Sequence, residues 1–228
     1  MRGVVQGVGF RPQVFRLARA HGLDGWVLNG DDGVRIHVEG GGDALDAFVR
    51  DLRAHPPPAA DVASIAVEAA ATTALAGFEI RHSESERRPT TRIAPDLPVC
   101  DDCLRELFDP GDRRHLYPYI NCTNCGPRFS IVLALPYDRA QTTMAGWPLC
   151  PECSAEYHDP SNRRFHAQPV ACPACGPRYR LVDSANAPIG AGGDAIRLAA
   201  HLLRDGRIVA VKGVGGYHLA CDAANRAA

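Results

Sequence analysis

Lysine is almost absent from this chain: of its 25 basic side chains 24 are arginine, and Lys212 stands alone. A compact ammonium is not equivalent to a planar guanidinium fork. The one retained lysine therefore marks either a contact the fork does not fit or an ordinary surface position. A basic excess is missing too. The formal net charge is −1, and residues 100–180 balance nine Arg against nine Asp and Glu, which argues against a nucleic-acid module. No apolar run approaches the length of a membrane span. The first residues also lack the basic, apolar, small-residue order of a secretory signal. A disulfide framework, which needs an oxidising compartment, is thereby disfavoured, and a cytoplasmic location is expected. With 46% hydrophobic residues over 228 positions, there is room for two small domains, or one domain with extras, each with a core.

What is present in quantity is cysteine at a fixed repeat. Eight of the nine cysteines form four Cys-x-x-Cys pairs: Cys100/Cys103, Cys122/Cys125, Cys150/Cys153 and Cys172/Cys175. Within each half 18 residues separate the pairs, and each cysteine recurs 50 positions later. The surroundings recur as well. Asp109-Pro110, Arg113-Arg114 and Cys125-Gly-Pro-Arg128 return as Asp159-Pro160, Arg163-Arg164 and Cys175-Gly-Pro-Arg178. Eight thiolates at this spacing fit two tetrahedral zinc sites with four cysteine ligands each, closed and therefore structural. The ninth, Cys221, reads as a small buried hydrophobe.

The spacing leaves two pairings open. In the sequential one, Cys100/Cys103 joins Cys122/Cys125, and Cys150/Cys153 joins Cys172/Cys175. In the nested one, Cys122/Cys125 joins Cys150/Cys153, and Cys100/Cys103 joins Cys172/Cys175. The first pair of each repeat precedes a helix-like stretch (Leu104–Phe108, Ser154–Tyr157), while the second ends in glycine like a zinc knuckle. Joining a knuckle to a helix at each site favours the nested arrangement.

The rest of the chain is punctuated by composition. Residues 1–83 read as one small α/β unit. Val4-Val5 enters the loop Gln6-Gly7-Val8-Gly9, and a helix follows with Phe10, Val14, Leu17 and Ala18 on one face, stopped by Gly22. A strand at Gly25–Leu28, a tight connection Asn29–Gly33 and an alternating strand Val34–Glu39 come next. A second helix spans Asp43–His55, and strands are expected near Val62–Glu68 and Gly77–His82. The order β-α-β-β-α-β predicts a ferredoxin-like sandwich, placing the chain in the α+β class. Residues 84–98 read as a linker, 99–180 as the duplicated cysteine module and 181–193 as a second, small-residue linker. Residues 194–228 read as a helix (Ala195–Arg204), a strand (Ile208–Val211) and Lys212-Gly-Val-Gly-Gly-Tyr217-His218. That is too little to enclose a core, so the natural protein is expected to continue. Only five residues precede Gln6, so the first strand is short or the natural start lies upstream.

The first loop carries chemistry. In a glycine-bearing strand-to-helix turn, successive backbone N–H groups can face one concavity at a helix N-terminus, and Arg11 at its rim matches a phosphate bidentately. An ordinary βα turn containing glycines is the alternative. Val5–Arg11 followed by Gly25-Trp-Val-Leu-Asn29 resembles the acylphosphatase signature over the first 83 residues. That resemblance implies a phosphate-binding loop of Gln6, Gly7, Val8, Gly9, Phe10 and Arg11. In it Arg11 holds the phosphoryl group and Asn29 orients the attacking water.

The order of an acylphosphatase-like unit, a duplicated cysteine module and Lys212-Gly-Val-Gly-Gly-Tyr-His-Leu-Ala-Cys-Asp resembles the HypF family of NiFe-hydrogenase maturation carbamoyltransferases. The resemblance implies that residues 194–228 open a YrdC-like nucleotide-binding domain, with Lys212, Gly213, Gly215, Gly216, Tyr217 and His218 at the edge of its pocket. It implies carbamoyl phosphate as substrate and ATP with magnesium for the full-length enzyme. HypE is the implied acceptor through its C-terminal cysteine, with neither a nucleic acid nor a membrane as partner. The competing reading is a zinc-dependent interaction module with an inert acylphosphatase-like fold, similar to the cysteine-rich region of DnaJ-type chaperones. A stand-alone acylphosphatase with zinc ribbons fits less well, because a third unit begins after the module.

Overall fold

The computed structural model describes residues 1–84, 90–213 and 216–228. The first unit contains β1 (Arg2–Val4), α1 (Phe10–Ala20), β2 (Asp24–Gly30), β3 (Gly33–Glu39), α2 (Gly42–Ala54), β4 (Asp61–Ser64) and β5 (Phe78–Ile80). β1 pairs antiparallel with β4, β2 antiparallel with β3, and β2 parallel with β5. Met1 and Val34 exchange two backbone bonds, of 2.8 Å and 3.0 Å, which joins the two sets in the order β4-β1-β3-β2-β5. The expected α+β order is present. β1 and the last two strands are displaced or shorter than their periodicity suggests, because strand ends are set by pairing partners rather than by side-chain pattern.

The helices form by amphipathic burial. Phe10, Val14 and Ala18, four residues apart along α1, are buried with Phe48 and Leu52 of α2. Opposite them lie Val27 of β2 and Val34 of β3. Part of the expected linker also belongs to this core. Ala94 is buried in it, and the amides of Thr90 and Thr91 both donate to the Asp31 carbonyl.

In the cysteine module, α3 (Asp101–Phe108) and α4 (Pro151–His158) each start one residue after a cysteine. Each chain then turns at Asp-Pro and comes back against its own helix. The Leu116 amide donates to the Leu107 carbonyl at 2.8 Å, and 50 residues on the His166 amide donates to the Tyr157 carbonyl at 3.0 Å. Leu116 and His166 share the left-handed backbone, with φ of 56° and 54°, so this strain belongs to the repeat.

Residues 181–193, expected as a linker, hold most of an antiparallel hairpin of β6 (Arg180–Val182) and β7 (Pro188–Ala191). The helix α5 (Gly192–Arg204) and a second hairpin, β8 (Val209–Lys212) with β9 (Tyr217–Ala220), follow. Cys221, expected to be buried, is exposed just past β9.

Candidate active site and metal centres

The loop between β1 and α1 is shaped by two glycines in the left-handed region, Gly7 at φ 73° and Gly9 at φ 80°. Gly9 caps α1, and its carbonyl accepts the helix's first bond, from the Gln13 amide at 3.0 Å. Phe10 and Arg11 form the first helical turn, so their N–H groups have no intrahelical acceptor and aim out of the helix end. Pro12 beside them lacks an N–H and costs nothing there. Gln6, also expected in the phosphate loop, uses its side chain otherwise. Its Nε2 donates to the Gly30 and Gly33 carbonyls, and its Oε1 accepts from the Tyr137 amide. It fastens the loop to the β2–β3 hairpin on one side and to the cysteine module on the other.

The tertiary fold brings Arg11 and Asn29 to one cavity of about 20 Å³. Asn29 sits near the end of β2, paired with Val34, and is 1% exposed. Both its side-chain nitrogen and its oxygen are buried without a hydrogen-bond partner. An orphaned amide costs on the order of 1–3 kcal/mol, so it is a natural docking point for a polar ligand. The cavity's other wall was not foreseen. It comes from the cysteine module: Thr123 and Gly126 of one half, and His166, Ala167 and Gln168 of the other. Arg11 is only 8% exposed in its side chain and donates through Nη2 to Asp138 Oδ1 at 2.7 Å, with Nη1 3.4 Å from Ser83 Oγ. Asp138 escaped the sequence reading because it lies between the two repeats and has no counterpart in the second. A stretch so placed inside an otherwise regular duplication was the signal available. Burial, with the charge of Arg11 behind it, pushes the His166 imidazole down to about 4, so it is neutral near pH 7.

The eight cysteines form two clusters, Cys100/Cys103/Cys122/Cys125 and Cys150/Cys153/Cys172/Cys175, with the sulfurs of each within 4.8 Å of one another. The sequential pairing is therefore correct and the nested one is not. The turn after each helix brings the knuckle back onto that helix's own N-terminus, so helix and knuckle already meet within one repeat and over the shorter loop. Sulfur separations of 3.6 Å (Cys100–Cys122), 4.0 Å (Cys122–Cys125), 3.7 Å (Cys150–Cys172) and 3.8 Å (Cys172–Cys175) are far too long for disulfides. They match the roughly 3.8 Å edge of a tetrahedron with metal–sulfur bonds of about 2.3 Å.

The two halves are locked by reciprocal arginines. Arg113 and Arg114 donate to Cys153 Sγ and pair with Glu156, while Arg163 donates to Cys103 Sγ and pairs, with Arg164, with Glu106. The buried Arg114 Nε reaches the Ala171 carbonyl at 2.9 Å, and Arg164 Nε reaches its equivalent, the Asn121 carbonyl, at 3.1 Å. Burial alone would raise the Glu156 carboxyl, but the bonds from Arg114 and Arg113 hold it at about 2. Guanidinium donors beside the thiolates offset the excess negative charge of a four-thiolate site.

The expected nucleotide-edge residues lie elsewhere, on the β8–β9 hairpin. Lys212 Nζ is 5.5 Å from the centre of the exposed Tyr217 ring, and the Gly213 amide donates to the Gly216 carbonyl at 2.7 Å. His218 packs beside Gly213, and Gly215 lies outside the described residues. None of these residues lines the Arg11 cavity.

Comparison with known proteins agrees with this architecture. An acylphosphatase family model matches residues 1–80, and the HypF finger model matches residues 99–132 and 149–182. The chain is 54% identical to carbamoyltransferase HypF2 of Cupriavidus necator, over 99% of this chain and 28% of the relative. It is 51% identical to carbamoyltransferase HypF of a Synechocystis species, over 98% of this chain and 29% of the relative. The chain belongs to the HypF carbamoyltransferase family. It spans less than a third of the length of these HypF relatives and corresponds to their N-terminal region. A crystal structure of full-length HypF in a phosphate- and nucleotide-bound form superposes with a TM-score of 0.89 at 47% identity, covering 98% of this chain and 29% of that one. HypF of T. kodakarensis superposes with a TM-score of 0.86 at 51% identity, covering 98% of this chain and 28% of that one. Among the described residues, no helix is long and apolar enough to cross a membrane.

Proposed function

We propose that this chain performs the hydrolytic first step of a carbamoyltransferase, splitting carbamoyl phosphate into carbamate and phosphate. Arg11 and the amides at the start of α1 hold the phosphoryl oxygens, and Asn29 orients a water toward phosphorus. Water forms the new P–O bond as the bond to the carbamoyl oxygen breaks. Carbamate leaves with the electron pair, and the water's protons pass to phosphate oxygens and solvent. The buried, partnerless amide of Asn29 beside Arg11 carries this reading. The largely buried setting of Arg11 and Asn29 strengthens each of these polar contacts relative to bulk water.

Zinc is the metal we assign to both four-cysteine sites. All four positions are filled by thiolates, so it serves to hold the module against the first unit. In the complete protein, carbamate would go on to a YrdC-like domain opening at residues 194–228, with Lys212 and its neighbours at the pocket edge. There ATP with magnesium would convert it to carbamoyl adenylate, and the carbamoyl group would then pass to the C-terminal cysteine of HypE, in the cytoplasm. On this reading the present chain alone hydrolyses acyl phosphates but makes no adenylate.

Phosphate release from carbamoyl phosphate, measured for the wild type and for Arg11→Ala and Asn29→Ala, tests the assignment. Each substitution is expected to lower kcat by about 100-fold or more. Undiminished turnover in Arg11→Ala overturns the site, and no turnover in the wild type favours the interaction-module alternative.

A further inference from the structure

The carboxylate facing Arg11 is an anomaly in an anion site. It weakens the local positive potential that a phosphoryl dianion needs, and the loop does not require it, because the acylphosphatase match ends at residue 80. Asp138 is not an incidental surface partner either. Its neighbours are pinned on both sides. The Tyr137 amide donates to Gln6 Oε1, while Arg139 donates from its amide to Gln168 Oε1 and from its guanidinium to the Gln168 and Val170 carbonyls. The carboxylate is thus held against the Arg11 guanidinium, 28% exposed in its side chain. Among the described residues only Oδ1 is engaged, by Arg11, although a carboxylate has room for about four donors.

Resting on the reading of this site as one for acyl phosphates, we propose that Asp138 is a specificity residue that selects the carbamoyl group. With the phosphoryl end on Arg11, the acyl end lies within a few ångströms of that guanidinium and of its carboxylate partner. A carbamoyl NH₂ brings two N–H donors to meet the carboxylate, whereas an acetyl methyl brings none. Asp138 therefore penalises every phosphate dianion and compensates only the one that can donate. Gln168 cannot take this part, since its Oε1 already accepts from the Arg139 amide and the Tyr157 hydroxyl.

The test is kcat/KM for carbamoyl phosphate and for acetyl phosphate in the wild type, Asp138→Ala, Asp138→Asn and Arg11→Ala. Asp138→Ala is expected to lower the carbamoyl-to-acetyl ratio by roughly 10- to 100-fold, the worth of a charge-assisted hydrogen bond. Asp138→Asn, which keeps an acceptor but not the charge, is expected to retain part of the ratio and to bind inorganic phosphate several-fold more tightly as a competitive inhibitor. An unchanged ratio in Asp138→Ala overturns the proposal. Should that variant fail to fold, unchanged phosphate inhibition in the nearly isosteric Asp138→Asn overturns it instead. Loss of both substrates in Arg11→Ala alone, with an unaltered ratio in the Asp138 variants, rejects the selector and keeps the active site. A wild type inactive on both substrates rejects the two together.

Discussion

Arg113 Nη2 donates to Cys153 Sγ across 2.9 Å, so an arginine of the first repeat supports a metal ligand of the second. Arg163 returns the contact to Cys103 at 3.0 Å. Sulfur coordination stays within each repeat, and it is the arginines that cross. The module is a pseudo-twofold pair in which neither half has its full set of polar partners alone.

This exchange makes a crossed prediction. Arg163→Ala should loosen the Cys100 cluster and Arg113→Ala the Cys150 cluster, each by about 10- to 100-fold in metal affinity. Mass-spectrometric mapping of which cysteines become alkylated during chelation reads this out. Labelling that rises only in the substituted repeat would show that the crossing bonds carry no weight.

Asn29→Leu separates stability from activity. Replacing a buried, unpaired amide by methyl groups on the same branched skeleton is expected to raise unfolding stability by about 1 kcal/mol and to abolish phosphate release. A leucine variant that is less stable than the wild type would mean the amide has a structural partner after all.

Gly7→Ala should damage fold and site together. Its Cβ would lie 2.8 Å from the Tyr137 ring and 2.9 Å from Pro127, on a backbone at φ 73°. Strain of about 1–2 kcal/mol for the backbone adds to the steric clash. We expect a drop in Tm of several degrees together with loss of hydrolysis, measured by calorimetry and phosphate release.

His166 gives a pH dependence with a definite sign. Its folded pKa of about 4 lies below the ordinary 6.5, so protonation favours the unfolded chain. The stabilisation is complete above about pH 6.5 and fades as pH falls toward 4, by at most about 3 kcal/mol. Asn tolerates the left-handed backbone at this position, so His166→Asn is the control. Urea midpoints of the two proteins should converge from pH 7 to pH 4.5, with thiolate protonation common to both. Parallel curves would place the imidazole in solvent.

Much of this molecule was legible before its fold was known. Phe10, Val14 and Ala18 marked the buried face of α1 because a helix forces that spacing onto any apolar stripe. The glycines at 7 and 9 marked a turn that few other residues can make. Strand ends and the two presumed linkers were not legible. Ala94 owes its burial, and β7 its pairing, to partners that local composition does not name.

The sequence by itself determined that eight thiolates come in two sets of four and that a glycine loop leads into Arg11. These follow from local spacing and covalent order. Only the tertiary structure decided that each metal set closes within its own repeat, that Arg113 and Arg163 cross between them, and that Asp138 meets Arg11 from 127 residues away. Contacts of that kind depend on how separately formed units dock, and docking is set by complementary surfaces that no short stretch of sequence contains.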